Sequence, residues 1–216
     1  MIDAVVFDLD GVIVDSEHVW AEVREQYARS SGGTYTDTAT RDMMGMSAPE
    51  WSRYMADSLG VPGTPEEISA AVVERMLQRY GESPPLIVGA VEAVRVIAAR
   101  VPVAIASSAN PELIEVVLRV SGLADVVHVA VSSQEVSRGK PAPDVYLEAA
   151  RRLGVPPRDC AAVEDSENGI RSAHAAGMTV VAVPNLQFPP GDKALELADV
   201  EVPSIRELTP ELLGVA

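Results

Sequence analysis

Between residues 89 and 202, short apolar runs alternate with longer amphipathic stretches, and this alternation leaves little choice of architecture. Apolar runs rich in Val and Ala fall at 101–106, 126–131, 161–163 and 179–183, with a short edge run at 199–202. Between them the pattern is helical: 90–100, about 110–120, 143–154 and 166–176. Asn110-Pro111-Glu112 reads as a helix start, and Gly122, Gly154 and Gly177 as helix stops. A further apolar run near the amino terminus, Ala4-Val5-Val6-Phe7, reads as a buried strand. Strands that alternate with helices predict an α/β fold: a parallel sheet with helices on both faces.

The stretch between that first strand and residue 83 has a different texture. Trp20, Val23 and Tyr27, then Trp51, Met55 and Leu59, then Ile68, Val72, Met76 and Tyr80 recur at helical spacing, with charges between them. Residues 31–33, Gly45 and the run Val61-Pro62-Gly63-Thr64-Pro65 punctuate the pattern. Thr64-Pro65-Glu66-Glu67 has the residues of a helix start: a capping threonine, a first-position proline and acids in the first turn. The expectation is a helical insertion over 16–83, carried by a core made of 1–15 and 84–216 and standing over the carboxyl edge of its sheet. Most of its methionines and aromatics are expected to form its own interior.

Chemistry concentrates at predicted strand ends, where open α/β sheets bind ligands. Asp8 and Asp10 follow the first strand, and Gly11 permits a sharp turn after them. Ser107-Ser108 follows the second, and Glu164-Asp165 ends the fourth. Lys140 lies in the loop Ser137-Arg138-Gly139-Lys140-Pro141. Four carboxylates in one crevice repel one another, and a hard divalent cation such as Mg²⁺ relieves that repulsion. Ser107 with the backbone amides that follow it can hold an anion, and Lys140 supplies a point charge suited to phosphate. Anion donors and a cation gathered on a carboxylate nucleophile describe phosphoryl transfer through an aspartyl-phosphate.

Composition narrows the partners. The 216-residue chain carries a formal charge of −15, which disfavours nucleic acid and anionic lipid. Its single cysteine, Cys160, lies in the apolar run Cys160-Ala161-Ala162-Val163 and reads as a small buried hydrophobe. One cysteine forms no internal disulfide, no basic region precedes Asp3, and no apolar stretch is long enough to span a membrane. A cytoplasmic protein acting on a small phosphorylated metabolite is expected; the oligomeric state is not legible.

With Asp8-Leu9-Asp10-Gly11-Val12, Ala106-Ser107-Ser108, Gly139-Lys140-Pro141-Ala142-Pro143-Asp144 and Val163-Glu164-Asp165-Ser166-Glu167-Asn168-Gly169 in this order, the chain resembles the haloacid dehalogenase superfamily. It is similar to the phosphatase and β-phosphoglucomutase-like branch, which inserts a helical cap after the first strand of a Rossmann-like core. The resemblance implies that Asp8 is the nucleophile and that Asp10 is the general acid and then the base. It also implies that Ser107, Ser108 and Lys140 hold the phosphoryl oxygens. Mg²⁺ would be bound by Asp8, the Asp10 backbone carbonyl and Asp165, with Glu164 in its shell.

Two readings stand behind a Mg²⁺-dependent phosphatase. A phosphomutase of the β-phosphoglucomutase type carries a histidine shortly after the first motif and an arginine shortly after the cap glycine. Those places here hold Trp20 and, after Gly45, Ala48 or Pro49. Glu17 and His18, just beyond Asp15-Ser16, are weaker candidates for substrate contact, and Arg24, Arg41, Arg53, Arg75 and Arg79 for a second phosphate grip, though each arginine reads as a solvated helix residue. A receiver-like phospho-acceptor module shares the acids, hydroxyl and lysine but lacks a helical insertion. A dehalogenase needs only the first aspartate.

Overall fold

A computed structural model describes residues 1–43, 46–185 and 189–215. Gly45, expected to break the helical pattern, lies outside the described residues. The chain forms two compact units, one of Met1–Asp15 with Pro84–Ala216 and one of Ser16–Ser83.

In chain order the elements are β1 (Ala4–Phe7), α1 (Glu17–Ser30), α2 (Ala39–Asp42), α3 (Ala48–Asp57), α4 (Pro65–Glu82), α5 (Ala90–Ala98), β2 (Val103–Ser107), α6 (Pro111–Val120) and β3 (Val127–Ser132). They continue with α7 (Asp144–Leu153), β4 (Cys160–Glu164), α8 (Glu167–Ala175), β5 (Thr179–Ala182), α9 (Asp192–Leu195) and β6 (Val200–Glu201). The first unit holds a six-stranded parallel sheet in the order β3-β2-β1-β4-β5-β6, a Rossmann-like α/β fold.

The sheet needs cover on both faces because its central strands are buried at every position and apolar at all but their last, Ser107 of β2 and Glu164 of β4. Ala4 and Val6 point to one side, with Ala104, Ala106, Cys160, Ala162, Val180 and Ala182, and pack against Val145, Tyr146 and Ala149 of α7 and Ile170 and Ala173 of α8. Val5, Phe7, Val103, Ile105, Ala161 and Val163, on the opposite side, are equally buried. Cys160 is buried, as its apolar surroundings predict. The register sets Phe7 level with Ile105 on one side and Val163 on the other. The three strands that carry candidate residues therefore finish together, at the middle of the sheet.

β1 stops at Phe7 and does not continue through Asp10. Gly11, at φ 79°, turns the chain so that its N–H reaches the Val14 carbonyl at 2.7 Å. The chain leaves and re-enters this unit at adjacent points, Asp15 donating to the Pro85 carbonyl at 2.8 Å.

Among the described residues of the unit Ser16–Ser83, the regular structure is helical. Trp51, Met55, Leu59, Ile68, Val72, Met76 and Tyr80 are buried, as their spacing predicts. Thr64 caps α4: its Oγ1 accepts from the Glu67 N–H at 3.2 Å, and Glu67 returns the bond to the Thr64 N–H at 2.8 Å. Arg24 departs from expectation. It is buried, with its guanidinium 4.9 Å from the Trp20 ring centre and 5.1 Å from that of Trp51. Arg75 stacks on Tyr27, and Arg79 pairs with Glu22 at 3.6 Å. Among the described residues no helix is long and apolar enough to cross a membrane.

Candidate active site

The end of β1 delivers Asp8 into the middle of the sheet edge, with its N–H bonded to the Val163 carbonyl at 2.9 Å. The end of β4 delivers Glu164 and Asp165 beside it. One carboxylate oxygen from each of these three buried acids lies within 4.8 Å of the other two. Lys140 reaches in from the loop before α7. Its side chain is only 5% exposed, so it is no surface lysine, and its Nζ donates to Asp8 Oδ1 at 2.7 Å and to Glu164 Oε1 at 2.6 Å.

One ammonium does not balance this many acids. Burial pushes the Asp8 carboxyl up to about 8; Glu164 and Asp10 add to the rise, and Lys140 opposes it. Burial, then Glu164 and Asp8, hold the Asp165 carboxyl well above the usual carboxylate range. Burial works against the charge of Lys140, yet Asp8 and Glu164 keep its pKa above the ordinary lysine value. The acids are oxygen donors, buried and short of positive charge, which suits a hard divalent cation such as Mg²⁺. Gly11 fits the same need: a Cβ there would overlap the Asp165 carboxylate.

Glu164 is the most tightly held of the acids. Its Oε2 accepts from the backbone N–H groups of Asp165 at 3.1 Å and Ser166 at 3.3 Å, and from the Ser166 hydroxyl at 3.1 Å. Ser166 in turn caps α8, accepting from the Gly169 N–H at 3.1 Å. The other Glu164 oxygen accepts from Lys140 and from the Tyr146 hydroxyl, the latter at 2.7 Å. Gly169 faces this carboxylate with no room for a side chain, since a Cβ would overlap it. Gly→Ala within a helix ordinarily stabilises by about 0.5–1 kcal/mol. Gly169→Ala is expected to do the reverse, costing about 1–3 kcal/mol, because five hydrogen bonds prevent Glu164 from yielding. A thermal melt checks this, and an unchanged or raised Tm would contradict it.

Asp10 and Ser107 meet nearby. The Ser107 hydroxyl, fully buried, donates to Asp10 Oδ2 at 3.4 Å and accepts from the Ala109 N–H at 2.9 Å. Ser132, at the end of β3, braces the loop through its hydroxyl bond to the Ala109 carbonyl at 2.6 Å. Ser108 is exposed. The side chains of Asp8, Asp10, Ser107, Lys140, Glu164 and Asp165 thus belong to one edge of one unit. Glu17 and His18 lie in the helical unit, where Glu17 is half-buried and His18 exposed. His128 is exposed on β3 and its Nδ1 faces the Val103 N–H at 3.5 Å; His174 is exposed in α8.

Three contributors had no distinctive signal in the sequence. Tyr146 looks like any core aromatic of an amphipathic helix, Ser166 like any helix cap, and Ser132 like any turn serine.

The arrangement offers a buried carboxylate at a strand end, a second carboxylate hydrogen-bonded to a hydroxyl, a buried ammonium, and an acid cluster suited to a divalent cation. Residues 2–177 match the model of the haloacid dehalogenase-like hydrolase family, and the chain belongs to that family. It is similar to the probable pseudouridine-5'-phosphatase of Drosophila melanogaster, 32% identical over 219 residues that cover 97% of this chain and 93% of that protein. It is similar also to hexitol phosphatase B of Escherichia coli K12, 33% identical over 221 residues, covering 98% and 96%. Among solved structures it resembles CbbY from Rhodobacter sphaeroides in complex with phosphate, with a TM-score of 0.88, 26% identity and full coverage of both chains.

Proposed function

We propose that this chain is a Mg²⁺-dependent phosphatase that hydrolyses a small phosphomonoester, of the sugar-phosphate class, through an aspartyl-phosphate on Asp8. That it is a phosphoric monoester hydrolase rests on its family and on the phosphatases it resembles. The observation that carries the finer reading is the placement of Asp8, where one buried carboxylate touches Lys140 at 2.7 Å and clusters with Glu164 and Asp165.

Asp8 attacks the phosphorus of the ester, and the bond to the leaving oxygen breaks. Asp10 gives its proton to that oxygen, so the alcohol leaves neutral. Asp10, now ionised, takes a proton from water, which attacks the phosphoryl group on Asp8 and releases phosphate. Lys140 and the Ser107 hydroxyl hold the phosphoryl oxygens as charge builds on them, and the substrate displaces Asp8 as a partner of the ammonium. Asp8, Asp165 and the Asp10 carbonyl would hold Mg²⁺ with Glu164 beside them, and the ion supplies positive charge to the transferring group. The two phosphatases above are named for a nucleoside 5'-phosphate and a hexitol phosphate, both small phosphomonoesters of polyhydroxylated carbon chains or rings, which supports a substrate related to the sugar phosphates.

The test is a panel of phosphate esters assayed with Mg²⁺ and again with excess chelator. Sugar phosphates are expected to be turned over, and chelation to remove nearly all activity until Mg²⁺ is restored. Activity indifferent to chelation, or no phosphate released from any ester, would overturn the proposal. A hexose 1-phosphate belongs in the panel, because isomerisation faster than hydrolysis would identify a mutase. A long-lived phosphoryl group on Asp8 without turnover would identify a phospho-acceptor module.

A further inference from the structure

Tyr146 has no part in the mechanism above, yet its polar end reaches the reacting groups. It lies on the face of α7 that covers the sheet, fully buried among Val145, Ala149 and Ala150. Packing at such a place asks only for an apolar ring, and a buried hydroxyl costs free energy unless it is bonded. The Tyr146 hydroxyl spends its proton on Glu164 Oε1, at 2.7 Å. That same oxygen holds Lys140 at 2.6 Å, while the ammonium also lies 5.1 Å from the centre of the Tyr146 ring. The other Glu164 oxygen is tied to the start of α8. With Tyr146 in place, neither oxygen of Glu164 is free to swing.

We infer that Tyr146 is a positioning residue for phosphate binding: through Glu164 and through its ring face it holds the flexible Lys140 side chain where a phosphoryl oxygen must meet it. The inference rests on the proposed role of Lys140. An unrestrained lysine loses rotamer entropy on being fixed, and a preset one has already met that cost. Lys140 and Tyr146 are close neighbours in the chain: the loop that carries the ammonium leads into α7, whose first turn carries the residue that braces it. The ring supplies a second restraint, because an ammonium over an aromatic face is attracted to it.

The experiment measures inorganic phosphate binding by calorimetry, with saturating Mg²⁺, for wild type, Tyr146→Phe, Glu164→Gln and the double variant, with a thermal melt of each. Tyr146→Phe keeps the ring and removes only the hydroxyl. It is expected to weaken phosphate binding about tenfold, the scale of a lost hydrogen bond to a charged group. It is also expected to raise KM for the preferred ester. In the Glu164→Gln background the same change is expected to alter phosphate binding by less than about twofold, since residues that act through one another are not additive. Wild-type affinity in folded Tyr146→Phe would overturn the inference, and so would an undiminished effect in the Glu164→Gln background. Should Tyr146→Phe fail to fold, Glu164→Gln alone decides for the hydroxyl, because wild-type phosphate binding without Glu164 leaves the Tyr146 hydroxyl nothing to act through and overturns that route. Wild type that fails to bind phosphate with Mg²⁺ would bring down the phosphatase proposal as well, whereas normal wild-type binding with an indifferent Tyr146→Phe removes this inference alone.

Discussion

Asp8→Asn is expected to lose at least about 10³-fold in kcat while remaining folded, in line with the removal of an essential nucleophile elsewhere. The amide has nearly the shape of the carboxylate, and its oxygen still accepts a hydrogen bond from Lys140. It has no electron pair basic enough to attack phosphorus. The physical surroundings explain why the fold should survive. Burial, with Glu164 and Asp10, raises the Asp8 carboxyl to about 8 even with the Lys140 ammonium beside it, so the site favours a neutral group at this position more than an ordinary ion pair would. The substitution also removes one like charge from the cluster with Glu164 and Asp165. Two measurements check the prediction. Steady-state assays with Mg²⁺ should find the activity gone, and mass spectrometry of rapidly quenched wild type should find a phosphoryl adduct on the peptide containing Asp8 that the variant lacks. Full Mg²⁺-dependent turnover by folded Asp8→Asn would end the aspartyl-phosphate proposal.

The parts of this molecule that were legible in its sequence are those governed by period. Val5 and Val6 had to lie in a strand apolar on both faces, and the run from Cys160 to Val163 likewise, because only burial from both sides suits such strands. Ile68, Val72, Met76 and Tyr80 are spaced for one helix face and are buried on one. The strand-end acids were legible for a related reason: in a parallel sheet every carboxyl end faces the same way, so distant segments are brought to one edge. What period does not encode is contact. Lys140 was legible as a candidate for phosphate from its loop and motif, but its neighbours were not, and only the fold shows its side chain 5% exposed between two carboxylates. Arg24 sits among charged residues on α1 and reads as solvated, yet two tryptophans from separate helices enclose it. Tyr146 differs from a plain core residue by one oxygen, and the partner of that oxygen lies 18 positions away.

Lys140→Met separates the structural charge of this lysine from its hold on phosphate. The substitution keeps much of the stem and removes the ammonium, leaving Asp8 and Glu164 almost without solvent and without their shared cation. Removing one member of a buried ion pair costs about 3–5 kcal/mol. In a chain of this size each kcal/mol moves Tm by about 2–4 °C, so in chelator the variant is expected to melt about 10 °C below wild type. Added Mg²⁺ should narrow that gap, because a divalent cation among the same acids restores the missing positive charge and binds only the folded state. Activity is expected to stay about 10²–10³-fold down even in saturating Mg²⁺, since the donor to the phosphoryl oxygens is still absent and the ion does not occupy its place. Lys140→Arg should not rescue it: a planar guanidinium needs more room than a compact ammonium, and the Asp8, Glu164 and Tyr146 walls fit the smaller group. Recovery of stability without recovery of rate is the signature expected if Lys140 both balances the acid cluster and grips the substrate. Wild-type activity in Lys140→Met would remove the second role, and a melting temperature unchanged in chelator would remove the first.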